Sequence, residues 1–191
     1  MHTVTEHSAK LERPHGVHSD ENPIENAELP DVSFGDSGID AFIRGVSELA
    51  WQAYVSGADS HSFVTHLADR YAYIRLRDIA RPIRFLRHMA GVPPVQLGNE
   101  GFGADLVDDD NPARHYTALL FVGYYVPTWL ATIVLYAWEF AGFIRYGGEW
   151  SWPDIRSGLL GIRHGALVRN YGPTVLPSLI AAQIAERDEK I

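Results

Sequence analysis

Asp108-Asp109-Asp110-Asn111-Pro112-Ala113-Arg114-His115 opens the most apolar part of the chain, the 23 residues Tyr116 to Trp138, which carry no formal charge. Asn111 suits an N-cap. Pro112 suits the first helical position, where the N–H that proline lacks would have no helical partner anyway. The preceding acids sit where the helix dipole favours negative charge. Arg114 and His115 then fall in the first turn, and the helix should run through Leu119, Leu120, Phe121 and Val122 toward Gly123. Pro127 interrupts it. Trp129 to Ile144 reads as a second helical stretch carrying Glu139, the one acid set inside apolar surroundings. The run is long enough to span a bilayer. Its mid-run break, its tyrosines and threonines, and the amphipathic helices around it that need a packing partner favour a buried core element instead.

On the N-terminal side of this stretch, Gly91 to Gly103 reads as a loop, broken by Pro93-Pro94, Gly98-Asn99 and Gly101-Phe102-Gly103. A loop of that length without periodicity often serves function. Before it, Asp69 to Ala90 predicts an amphipathic helix. Ala72, Leu76, Ile79, Ile83, Leu86 and Ala90 line one face, and Arg70, Arg77, Arg81, Arg84 and His88 form a stripe on another. Pro82 should kink or divide it. Arginine forks hold phosphate and carboxylate well, so Arg77, Arg81 and Arg84 are candidates for an anion, a lipid headgroup or an acidic partner; the plainer reading is a solvated face. Earlier still, Ile39, Phe42, Ile43, Val46, Leu49, Ala50, Ala53 and Tyr54 recur at helical spacing. Asp36-Ser37 lies before that helix and Gly57 after it as a C′ residue. Asp59-Ser60 should cap the next helix, near His61. His61 and His66 are five apart and share no face, which argues against a two-histidine metal site there.

On the C-terminal side, Tyr146-Gly147-Gly148 ends the apolar region and Pro153 starts another helix with Asp154 in its first turn. Gly158, Gly161 and Gly165 lie three and four apart on it. Such a line allows close approach of another helix, within the chain or in a homo-oligomer. Tyr171-Gly172-Pro173 breaks the chain, and a last helix is expected near Leu176 to Glu189.

With 191 residues the chain suits one domain, and 46% hydrophobic residues can supply its core. A net charge of -8 argues against nucleic-acid binding. The absence of cysteine removes disulfides, thiolate metal sites and cysteine nucleophiles. Residues 1–36 hold four histidines, three prolines and many acids, a composition that buries too little to order itself, and they read as a flexible tail. They contain no apolar h-region, so a cytoplasmic location, or export without a Sec-type signal, is expected.

The chemically able side chains near the apolar region are Asp108, Asp110, Arg114, His115, Glu139, Asp154 and His164. Histidine can serve as general acid or base near neutral pH, a carboxylate can orient it, and arginine can stabilise an oxyanion or phosphate. A buried Glu139 would have a raised pKa, as a general acid needs; the plain alternative pairs it with Arg145 or Arg163. Asp108-x-Asp110 looks like the start of a calcium loop, but the glycine and closing glutamate are missing, so a capping run is the better reading. No metal site and no cofactor is predicted.

Phe102 to Asp105, Asp109-Asp110-Asn111-Pro112-Ala113-Arg114-His115-Tyr116 and Asp154-Ile155-Arg156-Ser157-Gly158 together resemble a group of uncharacterised helical domains. These occur in bacterial and fungal proteins, some with effector or polymorphic-toxin architectures. The resemblance covers about residues 100–166. It implies Arg114, His115, Glu139 and Asp154 as shared polar positions, and implies no particular reaction. This chain departs from the pattern at Pro112.

The sequence therefore predicts an all-α domain of five to seven helices over residues 37–191, built around a central apolar helix. The functional expectation is a hydrolase-like enzyme or effector using His115 as base, Arg114 as anion clamp and Glu139, with Asp110 and Asp154 in support. Its ligand would be a small or anionic molecule. The competing expectation is a non-enzymatic protein that binds a membrane surface or a protein partner through the arginine stripe and the 116–138 run. A third is a pocket lined by Tyr124, Tyr125, Trp129, Trp138, Trp150 and Trp152.

Overall fold

The computed structural model describes residues 38–76, 81, 93, 95–145 and 150–186. Among these the chain forms six α-helices and no strand: α1 Gly38–Ser56, α2 Ser60–Tyr71, α3 Pro112–Tyr125, α4 Thr128–Arg145, α5 Trp152–Tyr171 and α6 Leu176–Gln183. Short 3-10 turns lie at Ala104–Leu106 and Pro173–Val175. The all-α expectation is met. The tail expected over 1–36, and the Asp36-Ser37 pair, lie outside the described residues.

Local chemistry explains most of the boundaries. The first N–H groups of α1 find their acceptors in the loop before α3: Gly38 N donates to Leu97 O and Ile39 N to Glu100 O. That part of the Gly91–Gly103 loop serves as a backbone cap. Gly57 ends α1 with φ of +66°, a left-handed conformation that glycine takes at little cost. Asp59 Oδ1 accepts from Ser62 N at 2.8 Å and caps α2. The helix predicted from Asp69 is corrected at its start. Helix α2 stops at Tyr71, Ala72 N and Ile74 N both turn back to Ala68 O, and Tyr73 takes φ of 58° between them. Ile74 is thereby buried. Arg75 swings over the Tyr73 ring and donates to Asp69 Oδ1 at 2.6 Å. Of the remaining predicted stripe, Arg77, Arg84 and His88 lie outside the described residues.

The apolar run breaks where Pro127 predicts. Val126 N closes α3 on Val122 O, and Leu130 and Ala131 begin α4 by donating to Pro127 O. Arg169 Nη1 donates to Tyr124 O at 3.0 Å, placing a cation on the carbonyl end of α3. The expected last helix is shorter than its pattern. It ends at Gln183, and the chain then runs beside the loop before α3 through an isolated antiparallel bridge between Phe102 and Ala185.

Helices α3 and α5 form the centre. Leu119 and Leu135 flank Gly158, where a Cβ would lie 2.8 Å from Leu135 Cδ1 and 3.2 Å from Leu119 Cγ. A Cβ at Gly161 would lie 2.5 Å from Tyr116 O. Gly165 packs on the Leu120 carbonyl, and Gly123 on the Ile162 backbone. The glycine line therefore lets α5 approach α3 of the same chain. The pairs 119/158 and 123/162 step by four residues on both helices, so the two run parallel. Around them sits a core of Phe42, Leu67, Tyr71, Tyr116, Leu120 and Ile180.

Helix α4 is less buried than the core reading of 116–138 requires. Ala131, Leu135 and Glu139 face inward, while Trp129, Ile133, Tyr136, Phe140 and Ile144 are 45–67% exposed. No described helix is long and apolar enough to cross a membrane.

Candidate functional site

The packing ladder of α3 and α5 accounts for the site. One turn before Leu119 on α3 stands His115, and one turn before Gly158 on α5 stands Asp154. One turn beyond Leu135 on the inward stripe of α4 stands Glu139. The layer that is Leu119, Leu135 and Gly158 in the core thus becomes His115, Glu139 and Asp154 at its edge. His115 Nε2 lies 3.8 Å from Glu139 Oε1, and Nδ1 lies 3.9 Å from Asp154 Oδ2. One atom from each of the three side chains falls within 4.8 Å of the other two.

Local sequence secures the positions of His115 and Asp154. Pro112 and the buried Ala113 start α3 at the site. Ser151 accepts from Asp154 N at 3.1 Å and fixes the first turn of α5. Asn111 stands at the N-cap as predicted but makes no side-chain cap bond. Its backbone N instead donates to Asp109 Oδ1 at 2.7 Å. The acidic run therefore bonds the residue before α3 and not the helix's own first N–H groups.

Burial dominates the electrostatics. It raises the Glu139 pKa to about 7, and the charges of Asp154 and Asp108 add to the effect. Burial likewise raises Asp154; the facing His115 and the Ser151 hydroxyl pull the other way, and Asp108 and Asp109 reinforce the rise. His115 is held below 6.5 by burial, against the pull of Asp154 and Asp109, with Arg114 assisting. The result is one imidazole and two carboxyl groups in partial shelter, at distances too long for direct hydrogen bonds. Five buried polar atoms on α3, its N-cap and α5 find no hydrogen-bond partner among the described residues: Asn111 Oδ1, His115 Nε2, Thr117 Oγ1, Ser157 Oγ and His164 Nε2. Asn111 is one turn before His115, and Ser157 one turn after Asp154.

The structure brings His115, Glu139 and Asp154 together. Arg114 is half-buried beside them and acts on His115 through its charge. Asp110 is exposed on the run before α3 and is not one of the clustered groups. Glu139 meets His115, whereas Arg163 is exposed on the far part of α5; the Arg145 side chain lies outside the described residues. His164 belongs elsewhere. It is fully buried and its Nδ1 lies 2.7 Å from Tyr116 Oη. Arg81 is exposed. Trp129, Trp138, Trp150 and Trp152 are exposed. Sequence reasoning missed the capacity of the trio to act as a ligand set, because its members sit 24 and 15 residues apart on three helices. No short motif signals it; the four-residue step from Leu119, Leu135 and Gly158 becomes visible only once those three are known to be in contact.

No family model, curated protein or solved structure matches this chain.

Proposed function

We propose that the protein is a small helical enzyme of hydrolytic type, with the His115–Glu139–Asp154 cluster as its reaction centre. The observation that carries this reading is the convergence of three chemically able side chains, from three helices, at the edge of an otherwise apolar core. A layer that packing alone would fill with leucine is occupied by groups that are costly to shelter. Such clusters concentrate at sites of chemistry. The cluster would activate a water molecule for attack on an ester, amide or phosphoester. Arg114 alongside would stabilise the negative charge that develops on the substrate oxygen.

The test is a hydrolysis screen with p-nitrophenyl acetate, a chromogenic amide and bis-p-nitrophenyl phosphate, with and without added divalent cations. Wild type is compared with His115→Ala and Asp154→Asn. An activity lost by about a hundredfold or more in both variants, with helicity unchanged, is expected. Activity that survives both substitutions, or no hydrolysis of any substrate, contradicts the reading.

One observation favours a second reading. Trp129, Ile133, Tyr136, Phe140 and Ile144 form a single exposed stripe along α4, spaced four, three, four and four residues apart. Apolar stripes of this size mark binding faces. Under that reading the protein associates with a membrane surface or a protein partner through α4, and the polar cluster is secondary.

A further inference from the structure

We propose that His115, Glu139 and Asp154 are ligands for a first-row divalent cation of the Zn²⁺ or Mn²⁺ kind, which would activate the water in the reaction proposed above. The inference rests on that reading for its chemistry, and on separate observations for the binding itself.

The first observation is the donor set. One imidazole nitrogen and two carboxylate oxygens suit a borderline divalent ion, with positions left over for water or substrate. Once deprotonated, the two carboxylates beside a neutral imidazole carry two negative charges together, which a divalent ion balances. The second is spacing. Metal–ligand bonds of about 2.0–2.2 Å place neighbouring ligand atoms about 3–3.5 Å apart. The three atoms lie within 4.8 Å of one another, with His115 Nε2 and Glu139 Oε1 at 3.8 Å. Side-chain rotation on the order of an ångström closes the shell. The third is the unmet demand of the protein itself. His115 Nε2 is buried and finds no hydrogen-bond partner among the described residues, although an acceptor faces it at 3.8 Å. Such an orphaned nitrogen is costly unless something fills the space before it. A cation accepts its lone pair and bonds to the facing oxygen at the same time.

The supports around the trio fit a ligand shell. Each ligand comes from a separate helix, and those helices are locked by the Leu119–Leu135–Gly158 layer one turn away. The buried Asn111 Oδ1, one turn before His115, has no hydrogen-bond partner among the described residues and would suit a metal-bound water. With a cation in place His115 serves as ligand, and the water it activates gives up its proton to solvent or to an acid of the Asp108–Asp110 run.

The experiment uses the full chain after chelator treatment, titrated calorimetrically near neutral pH with Zn²⁺, Mn²⁺, Mg²⁺ and Ca²⁺ separately. One ion of Zn²⁺ or Mn²⁺ per chain is expected, with Mg²⁺ and Ca²⁺ weaker. Glu139→Gln and Asp154→Asn, which keep side-chain shape, should each weaken it about a hundredfold. A joint replacement of the surface residues His61 and His66 by Ala should leave it unchanged. Paramagnetic Mn²⁺ should broaden the His115 ring signals of wild type before those of His164, a readout that holds even if a variant fails to fold. No one-to-one binding, or binding equal in wild type and both carboxylate variants, overturns the proposal. So does broadening confined to other histidines. Cation binding without hydrolysis would sink the enzyme reading and leave the cation site standing. Hydrolysis that depends on His115 yet resists the chelator would do the reverse, returning His115 to the role of general base.

Discussion

His115 and Asp154 stand one helical turn before Leu119 and Gly158, and their Nδ1 and Oδ2 atoms lie 3.9 Å apart because those two lower residues are in contact. The site is therefore an extension of core packing. Anything that separates α3 from α5 should disperse it, even at a distance from the polar groups.

Gly161 offers the sharpest test of that dependence. A Cβ there meets the Tyr116 carbonyl oxygen at 2.5 Å and the Leu120 nitrogen at 3.0 Å, and backbone cannot step aside. Gly161→Ala should cost about 2–3 kcal/mol or more in chemical denaturation and weaken cation binding with it. Gly142→Ala on α4 is the control. Its Cβ meets nothing within 4 Å among the described residues, so helix propensity should stabilise the protein by about 0.5–1 kcal/mol.

His164 gives the fold an acid-sensitive element. Burial pushes its pKa down to about 4, partly offset by the Gln183 side chain and helped by the Arg163 charge. Its unfolded value is about 6.5. Below that value the unfolded chain takes a proton that the folded chain refuses until about pH 4. Stability should therefore fall as pH drops from about 6.5 to about 4, by about 3 kcal/mol from this residue. Urea denaturation across that range should show a smaller loss in His164→Gln than in wild type. Equal slopes would mean His164 is not the buried neutral group described.

Glu139 works in the opposite direction. Its folded pKa of about 7 lies above the ordinary 4.5. The proton it holds favours the folded state at low pH, and that contribution is lost as pH rises through about 7. Chelator-treated Glu139→Gln should then gain stability over wild type as pH rises from about 4.5 past 7, by up to about 3 kcal/mol. Saturating Zn²⁺ should reverse the order, since a cation stabilises only the form that binds it. A Glu139→Gln protein less stable than metal-free wild type at pH 8 would contradict the account of the cluster.

The outer stripe of α4 separates fold from binding. Trp129 and Phe140 are 67% and 53% exposed. Replacing both with Ser should change stability by only about 1 kcal/mol or less, since exposed substitutions are individually small. If α4 docks on membranes, wild type should float with anionic liposomes and the double variant should not. Equal behaviour of the two proteins would remove the membrane form of the second functional reading.

Much of this architecture is legible in the sequence because its determinants are local. Pro127 marks the break between α3 and α4, Gly57 the end of α1 and Asp59 the start of α2, and each acts within one turn of its own position. Arg114, His115, Glu139 and Asp154 stood out as able groups bordering an apolar run. Their assembly was not legible in the same way. It depends on α3 and α5 running parallel with a four-residue step, a property of the Leu119–Gly158 contact and of no short motif. The same limit applies to Tyr73. Its positive φ follows from Ile74 turning into the core, and the periodic pattern from Asp69 onward masks the break. Helix α4 shows the converse. Its apolarity suggests burial, yet α3 and α5 cover only the Ala131–Leu135–Glu139 face.

The most direct measurement on the central claim, that His115, Glu139 and Asp154 form one cluster, needs no substrate. Histidine ring signals of the metal-free protein would be followed by NMR through a pH titration, in wild type and Asp154→Asn. His115 should titrate below 6.5, and loss of the Asp154 charge, the strongest pull in the other direction, should lower it further. A His115 that titrates at its ordinary value and ignores Asp154 would mean that the three groups do not share a site.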